Sequence, residues 1–456
     1  MKTPKFIFCI LSIAALISCT KEISDNTGND FIQQTSSLRV NNKVDVSLLD
    51  KHGHGEIIIK FKANASPAGK ANFLTKLKGK VKERIHTASM KGEGDNEGIV
   101  VISTALGITN AINDAKKFAE IEFAEPNYIY KHTGTPNDHY IANLWGMNTG
   151  FGTQATTTWE KGLTGSNNIV IGVLDQGIQV QHPDLKRNIW VNPNDPINGK
   201  DDDKNGYIDD VHGWDFYHND NSVYDEKEDH HGTHVAGTIG AVGGNGIGVA
   251  GMNWNVTMIS AKFLGPQGGS TSDAVKAIEY FINLKNAGIN IVAINNSWGG
   301  GGYSLALYQA IERANKAGIL FVASAGNNSN NNDAKEYYPA SYTNANVISV
   351  AAIDQNGALW RFSNYGATSV HLGAPGIAIF STLPGGYGYY SGTSMAAPHV
   401  TGAIALYAAH NTIKSKKDKD YALKLKQIIL DAAKATPTHS LSGKTICGGR
   451  LNVSTF

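Results

Sequence analysis

The segment DHHGTHVAGTIG, residues 229–240, contains three histidines within five positions. Imidazole binds zinc, and it also accepts and returns protons near neutral pH. The segment therefore predicts a metal site, a proton-transfer site, or a helix start that happens to be rich in histidine. A zinc site built like H-E-x-x-H would need a glutamate where His231 stands, and the nearby sequence offers no evident third ligand.

Three other segments place a polar side chain just after an apolar run or at a predicted helix start. Asp175 ends the run IVIGVLD, and a buried carboxylate there needs a donor such as histidine. Ser394 in SGTSMAAPHV is predicted to lie at a helix N-terminus, whose amide hydrogens stabilise an oxyanion, and Asn327 follows FVASAG in a glycine turn. Taken singly, these residues have ordinary alternatives as turn and cap residues.

The order of the motifs favours the catalytic interpretation. The segments VLDQGI, HGTHVAGT, NNSWGG, ASAGN and GTSMAAPHV follow one another over roughly residues 135–455 and resemble the subtilisin family of serine proteases. The catalytic residues of that family occur in the order Asp, His, Ser. The resemblance implies a catalytic triad of Asp175, His231 and Ser394. It also implies an oxyanion hole formed by Asn327 and the Ser394 amide.

Two competing classes fit the sequence less well. An esterase of the α/β-hydrolase type would need G-x-S-x-G and the order Ser, acid, His, whereas this chain has GTSMA and the reverse sense. A binding module that had lost its activity would lack a triad residue, and none is missing. We therefore expect a self-processing serine endopeptidase with His231 as its base. His234 is expected to support the helix start and nearby backbone, and His230 to lie beside Asp229 at the rim of the cleft.

The resemblance also implies substrate contacts. The segment NNSWGGG is similar to the family's substrate-binding segment, so Ser297, Trp298 and Gly299 are expected to contact an extended peptide. Gly268 and Gly269 are expected on the opposite edge, where the peptide would pair as an added strand. Many subtilisins have an aliphatic residue in place of Trp298, and a purely structural core aromatic is the alternative for this residue.

The pocket for the residue that precedes the cut is expected near KEYYPAS. By the resemblance, Glu336 and Tyr337 align near the base of this pocket. The two residue types do not identify the side chain that the pocket takes.

The acidic segment NGKDDDKNGYIDD resembles the opening of a calcium-binding loop. Oxygen-bearing side chains at alternate positions are followed by Gly206, which permits a sharp turn. His212 stands where an EF-hand has its bidentate glutamate, so the segment is not a true EF-hand loop, and a solvated acidic loop is the alternative. The predicted ligands are Asp201, Asp203, Asn205, Asp209 and Asp210.

A second calcium site is implied by the resemblance alone. It would use Asp184 in HPDL and the side-chain oxygen of Asn245 in VGGNGIGV, with backbone carbonyls as the remaining ligands. Structural calcium suits an exported chain without disulfides, because an ion bound only by the folded state stabilises that state. We expect no organic cofactor.

The N-terminus has the three-part layout of an export signal. Lys2 and Lys5 precede an apolar run that is short for a membrane span, although a short membrane anchor is the alternative. LISC resembles the lipobox of bacterial lipoproteins, which implies that residues 1–18 are removed and that Cys19 carries lipid. Only Cys447 would then remain in the folded chain, so no internal disulfide forms. We expect an exported lipoprotein anchored to a membrane of the cell envelope.

The first half of the chain is predicted to contain a tether and a small domain. Residues 19–51 are polar and typical of a flexible tether. Residues 52–132 predict the order β-α-β-β-α-β of a ferredoxin-like module, with its second helix in NAINDAKKFAEI and its last strand in PNYIYK. This module resembles the subtilisin propeptide, an intramolecular inhibitor that is cut away, here between Tyr130 and Asp138.

In the predicted peptidase domain, residues 133–456, apolar β-branched runs alternate with helical segments and glycine turns. NNIVIGVLD, VTMISAKFL, INIVAINNSW, GILFVASAG and ANVISVAAI are typical of parallel strands covered on both faces. Two intervening helical segments end at Gly288 and Gly318, in the usual C-terminal position of glycine. The pattern predicts a doubly wound α/β domain, in which functional residues lie at the carboxyl ends of the strands.

The overall charge argues against a nucleic-acid partner. The chain has 40 basic and 39 acidic residues, and no basic stripe offsets this balance. We expect a monomer whose partners are protein or peptide substrates, its own propeptide, and a membrane through lipid on Cys19.

Overall fold

The computed structural model describes residues 55–127, 136–225, 229–411 and 420–456. The chain forms two compact units, Met1–Ile129 and Tyr130–Phe456. The predicted signal peptide, tether and lipidated Cys19 lie outside the described residues, as does most of the predicted cleavage region. The predicted boundary between residues 132 and 133 lies outside them as well and stays a prediction. None of the helices in the described ranges is both long and apolar enough to cross a bilayer.

The first unit is an antiparallel four-stranded sheet in the order β2-β3-β1-β4, packed against helices. Alternate residues of β1 are buried, and Ile57, Ile59 and Phe61 share a core with Phe73 and Ile112 of the helices. The small α+β fold is confirmed, with a short α2 that was not predicted. The elements are β1 (Glu56–Phe61), α1 (Pro67–Lys76), β2 (Gly79–Ile85), α2 (Ala88–Gly92), β3 (Ile99–Thr104), α3 (Ile108–Ala115) and β4 (Ile121–Pro126).

The last helix of this unit ends earlier than predicted. It ends at Ala115, and the described residues form a strand at Ile121–Pro126, whereas residues 128–131 of the strand predicted in PNYIYK lie outside the described residues. The predicted end of the helix was wrong because Phe118 and Ile121 continue the helical spacing of apolar residues. In the structure Phe118 instead packs edge-on against Phe73, with ring centroids 5.1 Å apart, in a turn that leads into the strand.

The second unit contains a seven-stranded parallel sheet in the order β11-β10-β9-β8-β5-β7-β6. Along β5, Ile169, Ile171 and Val173 belong to one apolar cluster, whereas Val170 and Leu174 belong to another, so both faces of the sheet are covered. The strands are β5 (Gly165–Asp175), β6 (Gly213–Asp215), β7 (Asn255–Lys262), β8 (Ile291–Asn296), β9 (Leu320–Ser324), β10 (Val347–Ile353), β11 (Leu372–Pro375) and an antiparallel hairpin of β12 (Ile379–Leu383) and β13 (Gly386–Tyr390).

Helices pack on the two faces of this sheet, as predicted. Ser270 and Ser304 cap α6 and α7 by accepting backbone N–H groups, and Gly288 and Gly318 follow these helices with positive φ angles. Residues of α5, α8 and α9 lie in one cluster, and residues of α6 and α7 lie in the other. The helices are α4 (Ala155–Glu160), α5 (His230–Gly240), α6 (Thr271–Asn286), α7 (Leu305–Lys316), α8 (Thr393–His410) and α9 (Tyr421–Lys434).

Candidate active site

The strand order places the carboxyl ends of β5, β8 and β9 side by side at the centre of the sheet. Asp175 is the last residue of β5 and is fully buried, while His231 is the second residue of α5. His231 Nδ1 lies 2.7 Å from Asp175 Oδ1, and the His231 side chain keeps 23% of its surface exposed. Because an ionised carboxylate only accepts, Nδ1 carries the hydrogen, and Nε2 is left free to take a proton.

The contact with Asp175 raises the pKa of His231. Burial by itself lowers this pKa, but the charge of Asp175 and the hydrogen bond to it act in the opposite direction and outweigh the burial. Asp175 Oδ1 also accepts the N–H of Gln176 at 2.8 Å, which holds the carboxylate in place. The site therefore stabilises the protonated form of His231.

Two glycines let α5 approach the turn that follows β5. A Cβ atom at Gly232 would lie 2.1 Å from the carbonyl oxygen of Gly177, a distance that no side chain tolerates. Across the same contact, Thr233 Oγ1 accepts the N–H of Gln179 at 2.9 Å. This backbone packing brings the start of α5, and with it His231, onto the end of β5.

Ser394 is the second residue of α8. It lines the same cavity as His231 and Asn327, with a volume of about 370 Å³. The Ser394 hydroxyl donates to the carbonyl oxygen of Ser297 at 3.0 Å. Among the described residues this hydroxyl makes no hydrogen bond to His231, so proton transfer requires it to turn away from Ser297. Catalytic hydrogen bonds commonly tighten only when substrate is bound.

A chain of buried polar contacts docks the start of α8 on the end of β8. Ser297 Oγ donates to the carbonyl oxygen of Ser394 at 2.7 Å, and Asn295 Nδ2 donates to Ser297 Oγ at 2.9 Å. Thr401 lies about two helical turns after Ser394 in α8, and it donates to Asn295 Oδ1 at 2.9 Å. Because these groups satisfy one another away from water, the position of Ser394 is set by the sheet.

Asn327 follows β9 and is exposed to the cavity. Its Oδ1 atom accepts both the backbone N–H and the Oγ1 hydroxyl of Thr393, at 2.9 Å and 2.8 Å. Because a backbone N–H only donates, these bonds fix the orientation of the amide and turn its NH₂ group away from Thr393. Thr393 was missed by the sequence analysis, although it immediately precedes Ser394 in GTSMAAPHV.

Lys262, the last residue of β7, was also missed. Its ammonium donates to Asp229 Oδ1 at 2.6 Å and to the carbonyl oxygen of Gln176 at 2.9 Å. The side chains of Lys262 and Asp229 are only 2% and 3% exposed. Asp229 immediately precedes α5, and Gln176 follows Asp175, so Lys262 joins the two segments that carry the Asp175 and His231 side chains. A lysine inside the apolar run VTMISAKFL was the available signal, because buried lysine needs a partner.

The other two histidines of the DHHGTH segment contact the β12–β13 hairpin. His234 Nε2 lies 3.0 Å from the carbonyl oxygen of Ile379 and 3.2 Å from that of Gly388. His230 Nδ1 lies 2.8 Å from the hydroxyl of Tyr390. His234 was expected to support the helix start and nearby backbone. Its buried ring does contact backbone carbonyl groups, and these belong to the hairpin.

The predicted substrate contacts are divided between two neighbouring cavities. Ser297, Trp298 and Gly299 line the cavity that contains Ser394. Gly268 and Gly269 line a second cavity of about 330 Å³, which Trp298 and Gly299 also border. The two glycine-rich edges therefore face a common region, as the added-strand prediction requires.

Trp298 lines both cavities and is partly buried. Its ring packs edge-on against Phe263 and Phe321, with centroids 4.8 Å and 6.5 Å away. Its indole Nε1 is buried without a hydrogen-bond partner in the described chain. Trp298 therefore fits both alternatives from the sequence: it packs on the core as a structural aromatic, and it also forms a cavity wall that a substrate could contact.

Of the two residues expected at the base of the pocket, only Tyr337 lines the cavity beside Ser394. Glu336 is exposed and borders neither cavity, so that expectation was wrong for Glu336.

In the acidic loop, the carboxylates of Asp203 and Asp210 share two asparagine partners, and neither has an ion pair with a basic side chain among the described residues. Asn205 Nδ2 donates to Asp203 Oδ2 at 3.2 Å and to Asp210 Oδ2 at 3.0 Å, and Asn192 bridges the same two carboxylates. Burial raises the pKa of Asp210 to about 6. Asp201 and Asp209 instead accept backbone N–H groups of the loop. The carboxylate oxygens fit a calcium ion, and the Asn205 amide, whose oxygen accepts the N–H of Tyr207 at 2.8 Å, would have to turn over to offer that oxygen as a ligand.

The second predicted calcium site also contains buried carboxylates. Asp184 accepts from Asn245 Nδ2 at 2.7 Å and from the N–H of Val249 at 2.8 Å, and burial raises its pKa to about 6. The charge of Asp138, which the sequence analysis missed, raises this pKa further. Within the described ranges neither carboxylate has an ion pair, which fits a bound cation. The Asn245 amide would have to turn over to offer its oxygen.

Comparison with known proteins agrees with this geometry. The profile of the subtilase family matches residues 166–445, and that of the fervidolysin N-terminal prodomain matches residues 41–127. A thermophilic serine proteinase of Bacillus sp. (strain AK1) is 32% identical over 410 residues, 88% of each chain. An extracellular basic protease of Dichelobacter nodosus is 35% identical over 64% of this chain, which spans only 52% of that relative. The structure of a protease from Pseudoalteromonas arctica superposes with a TM-score of 0.55 and 28% identity, covering 70% of this chain and 98% of the other.

A parallel sheet that brings Asp, His and Ser together at the carboxyl ends of its strands defines a serine hydrolase of the subtilisin kind. The chain belongs to the subtilase family, and it is a subtilisin-like serine endopeptidase with an N-terminal prodomain. The predictions of the doubly wound fold and of a serine endopeptidase are therefore confirmed.

Proposed function

We propose that the chain hydrolyses internal peptide bonds of proteins through an acyl-enzyme on Ser394. The Ser394 oxygen attacks the carbonyl carbon while His231 Nε2 takes its proton, and His231 then gives this proton to the leaving amine. Asp175 holds the imidazole tautomer and stabilises the imidazolium. The observation that carries the proposal is the 2.7 Å contact between His231 Nδ1 and Asp175 Oδ1, next to the cavity that His231 and Ser394 line.

The oxyanion of the tetrahedral intermediate is bound by Asn327 and by the backbone N–H of Ser394. Thr393 occupies the oxygen of the Asn327 amide, so its NH₂ group is available as a donor. The Ser394 N–H lies in the first turn of α8, where it needs no partner within the helix. Two such donors stabilise charge that exists only in the transition state, which lowers the barrier.

The substrate lies as an extended strand between the two glycine-rich edges. Ser297, Trp298 and Gly299 contact it on one side, and Gly268 and Gly269 contact it on the other. The support for this placement is the pair of cavities that these residues line, with Trp298 common to both. Backbone hydrogen bonds would supply affinity without regard to sequence, and the cavities would select side chains.

Peptide cleavage by purified variants tests the proposed mechanism. His231→Ala and Ser394→Ala should abolish turnover of a peptide library, whereas the matched control His230→Ala should keep it. Thermal unfolding of each variant verifies that it is folded. Turnover that survives in folded His231→Ala, or its loss in His230→Ala alone, would contradict the assignment of the base.

The N-terminal prodomain, predicted as residues 52–132, acts as an intramolecular inhibitor that the peptidase removes from itself. Support comes from the match of residues 41–127 to a protease prodomain. The intact mass of purified protein should show loss of this segment in the wild type and its retention in Ser394→Ala. Identical masses for the two proteins would argue against self-cleavage.

The acidic loop and the Asp184 region bind structural calcium. Asp203, Asn205 and Asp210 supply oxygens in the first site, and Asp184 and Asn245 supply them in the second. Buried carboxylates that have no basic partner among the described residues support both sites, since burial of an unpaired charge is unfavourable. The ions would add folded-state stability in a chain whose described residues include one cysteine, the free thiol Cys447.

The precursor is exported and anchored by lipid on Cys19, and removal of the prodomain releases a monomeric peptidase domain from this anchor. Export is supported by the signal-like N-terminus and by the relative from Dichelobacter nodosus, which is named an extracellular protease. Mass spectrometry of the N-terminal peptide from a membrane fraction should find a lipidated Cys19 that Cys19→Ser lacks. Light scattering of the mature protein should give the mass of one chain.

A further inference from the structure

The ring of Tyr337 is wedged between the ends of two neighbouring strands. A Cβ atom at Gly299, just beyond β8, would lie 2.4 Å from Tyr337 Cε1. A Cβ atom at Gly326, just beyond β9, would lie 2.9 Å from both Cδ1 and Cε1 of the same ring. One edge of the ring therefore lies directly against two bare backbone segments, and it occupies space that side chains at these positions would otherwise fill.

These two backbone segments are walls of the cavity that contains Ser394. Gly299, Gly326 and Tyr337 all line it, together with Asn327. Ser394, which attacks the carbonyl carbon, and Asn327, which holds its oxygen, line this same cavity, so we infer that the residue contributing this carbonyl places its side chain between the two walls. That space is where the Tyr337 ring lies.

The backbone around Tyr337 is held by hydrogen bonds. The carbonyl oxygen of Tyr338 accepts the N–H of Gly300 at 2.9 Å, which ties this segment to the one after β8. The Tyr337 N–H donates to Ser341 Oγ at 3.0 Å, and the Tyr337 carbonyl accepts the N–H of Ser341 at 2.9 Å. Burial also raises the pKa of the Tyr337 hydroxyl, so the ring stays neutral near pH 7. These hydrogen bonds fix the backbone from which the ring projects, and the ring itself is packed against Gly299 and Gly326.

We propose that Tyr337 makes the endopeptidase selective for a small residue, glycine, alanine or serine, immediately before the scissile bond. A larger side chain there would collide with the Tyr337 ring between Gly299 and Gly326. The proposal rests on the catalytic function proposed for Ser394 and names the substrate class of that site.

Two matched peptide substrates test the proposal. They differ only in having alanine or phenylalanine before the bond to be cut, and kcat/KM is measured for each with the mature protein. The wild type should prefer alanine by about tenfold or more, and Tyr337→Ala should raise kcat/KM for the phenylalanine substrate by a similar factor. Tyr337→Phe, which keeps the ring, should retain the preference for alanine. The control Tyr303→Ala should also retain it, because Tyr303 is 56% exposed and borders neither cavity.

The outcomes separate this inference from the proposed function. Equal cleavage of both substrates by the wild type, with no change in Tyr337→Ala, would overturn the role of Tyr337 and leave catalysis by Ser394 standing. Absence of cleavage of either substrate by the wild type would overturn both. If Tyr337→Ala does not fold, the cut sites in an unfolded protein digested by the wild type still decide, since large residues before most cuts would contradict the proposal.

Discussion

The ammonium of Lys262 lies 2.6 Å from Asp229 Oδ1, and both side chains are almost completely buried. Through this contact and the hydrogen bond from Lys262 to the Gln176 carbonyl, the end of β7 holds the segment after Asp175 and the residue before α5. Burial raises the pKa of Asp229, and Lys262 opposes that shift. The geometry of the Asp175–His231 pair thus depends on a third strand that contributes no catalytic group.

Lys262→Met should destabilise the fold, because it leaves Asp229 buried without its partner. The free energy of unfolding should fall by on the order of 3 kcal/mol, measured by urea denaturation in a Ser394→Ala background that prevents self-digestion. Adding Asp229→Asn should restore part of the loss. A single variant that is no less stable than the double variant would show that the pair is not coupled.

Thr393→Val should lower kcat while leaving KM almost unchanged. Valine keeps the shape of threonine and the backbone N–H, but it removes the hydroxyl that orients the Asn327 amide, so only the transition state loses an interaction. Asn327→Leu should cost more, about 10²–10³-fold in kcat, the effect of losing such a donor in subtilisin. A rise in KM with unchanged kcat in Thr393→Val would assign Thr393 to substrate binding instead.

The acid limb of kcat/KM should report the protonation of His231. Only the neutral imidazole accepts a proton, and Asp175 raises its pKa, so activity should rise with pH through a pKa higher than the ordinary value of histidine. Asp175→Asn removes the charge that opposes burial, and the limb should move to lower pH while kcat falls about 10⁴-fold. An acid limb that stays in place in Asp175→Asn would contradict this origin.

Removal of calcium should lower the thermal midpoint of the Ser394→Ala protein by several degrees. Asp184→Asn and Asp210→Asn should each reduce the difference between calcium and chelator, because each removes one carboxylate from a different site. Asp273→Asn, which alters a surface ion pair with Lys276, should not change that difference. A thermal midpoint that does not change in chelator would show that calcium does not stabilise the fold.

The sequence was sufficient to predict the parallel sheet and the residues that meet at its edge. Apolar runs such as IVIGVLD and INIVAINNSW are unusual outside buried parallel strands, and parallel strands bring their carboxyl ends to one edge. Asp175 and Asn327 were therefore expected at the same edge of the sheet once those strands were recognised. The motifs supplied His231 and Ser394, which begin helices rather than end strands.

Other features required the folded chain. Lys262, Thr393 and Tyr390 act through contacts with residues distant in sequence, and no local pattern names a partner of that kind. In the prodomain, the apolar spacing around Phe118 and Ile121 was compatible with a helix, and only packing against Phe73 decides for a turn and a strand. Local propensity is a weak guide wherever tertiary contacts decide between two conformations.

Covalent labelling of the mature protein directly tests whether Ser394 is the nucleophile. Diisopropyl fluorophosphate reacts with a serine whose proton is taken by a neighbouring base, and peptide mapping locates the phosphoryl group. We expect one label, on Ser394, which is kept in His230→Ala and lost in His231→Ala whose prodomain has been removed by added wild-type enzyme. A protein that cleaves peptides but is labelled at another residue, or at none, would contradict an acyl-enzyme mechanism on Ser394.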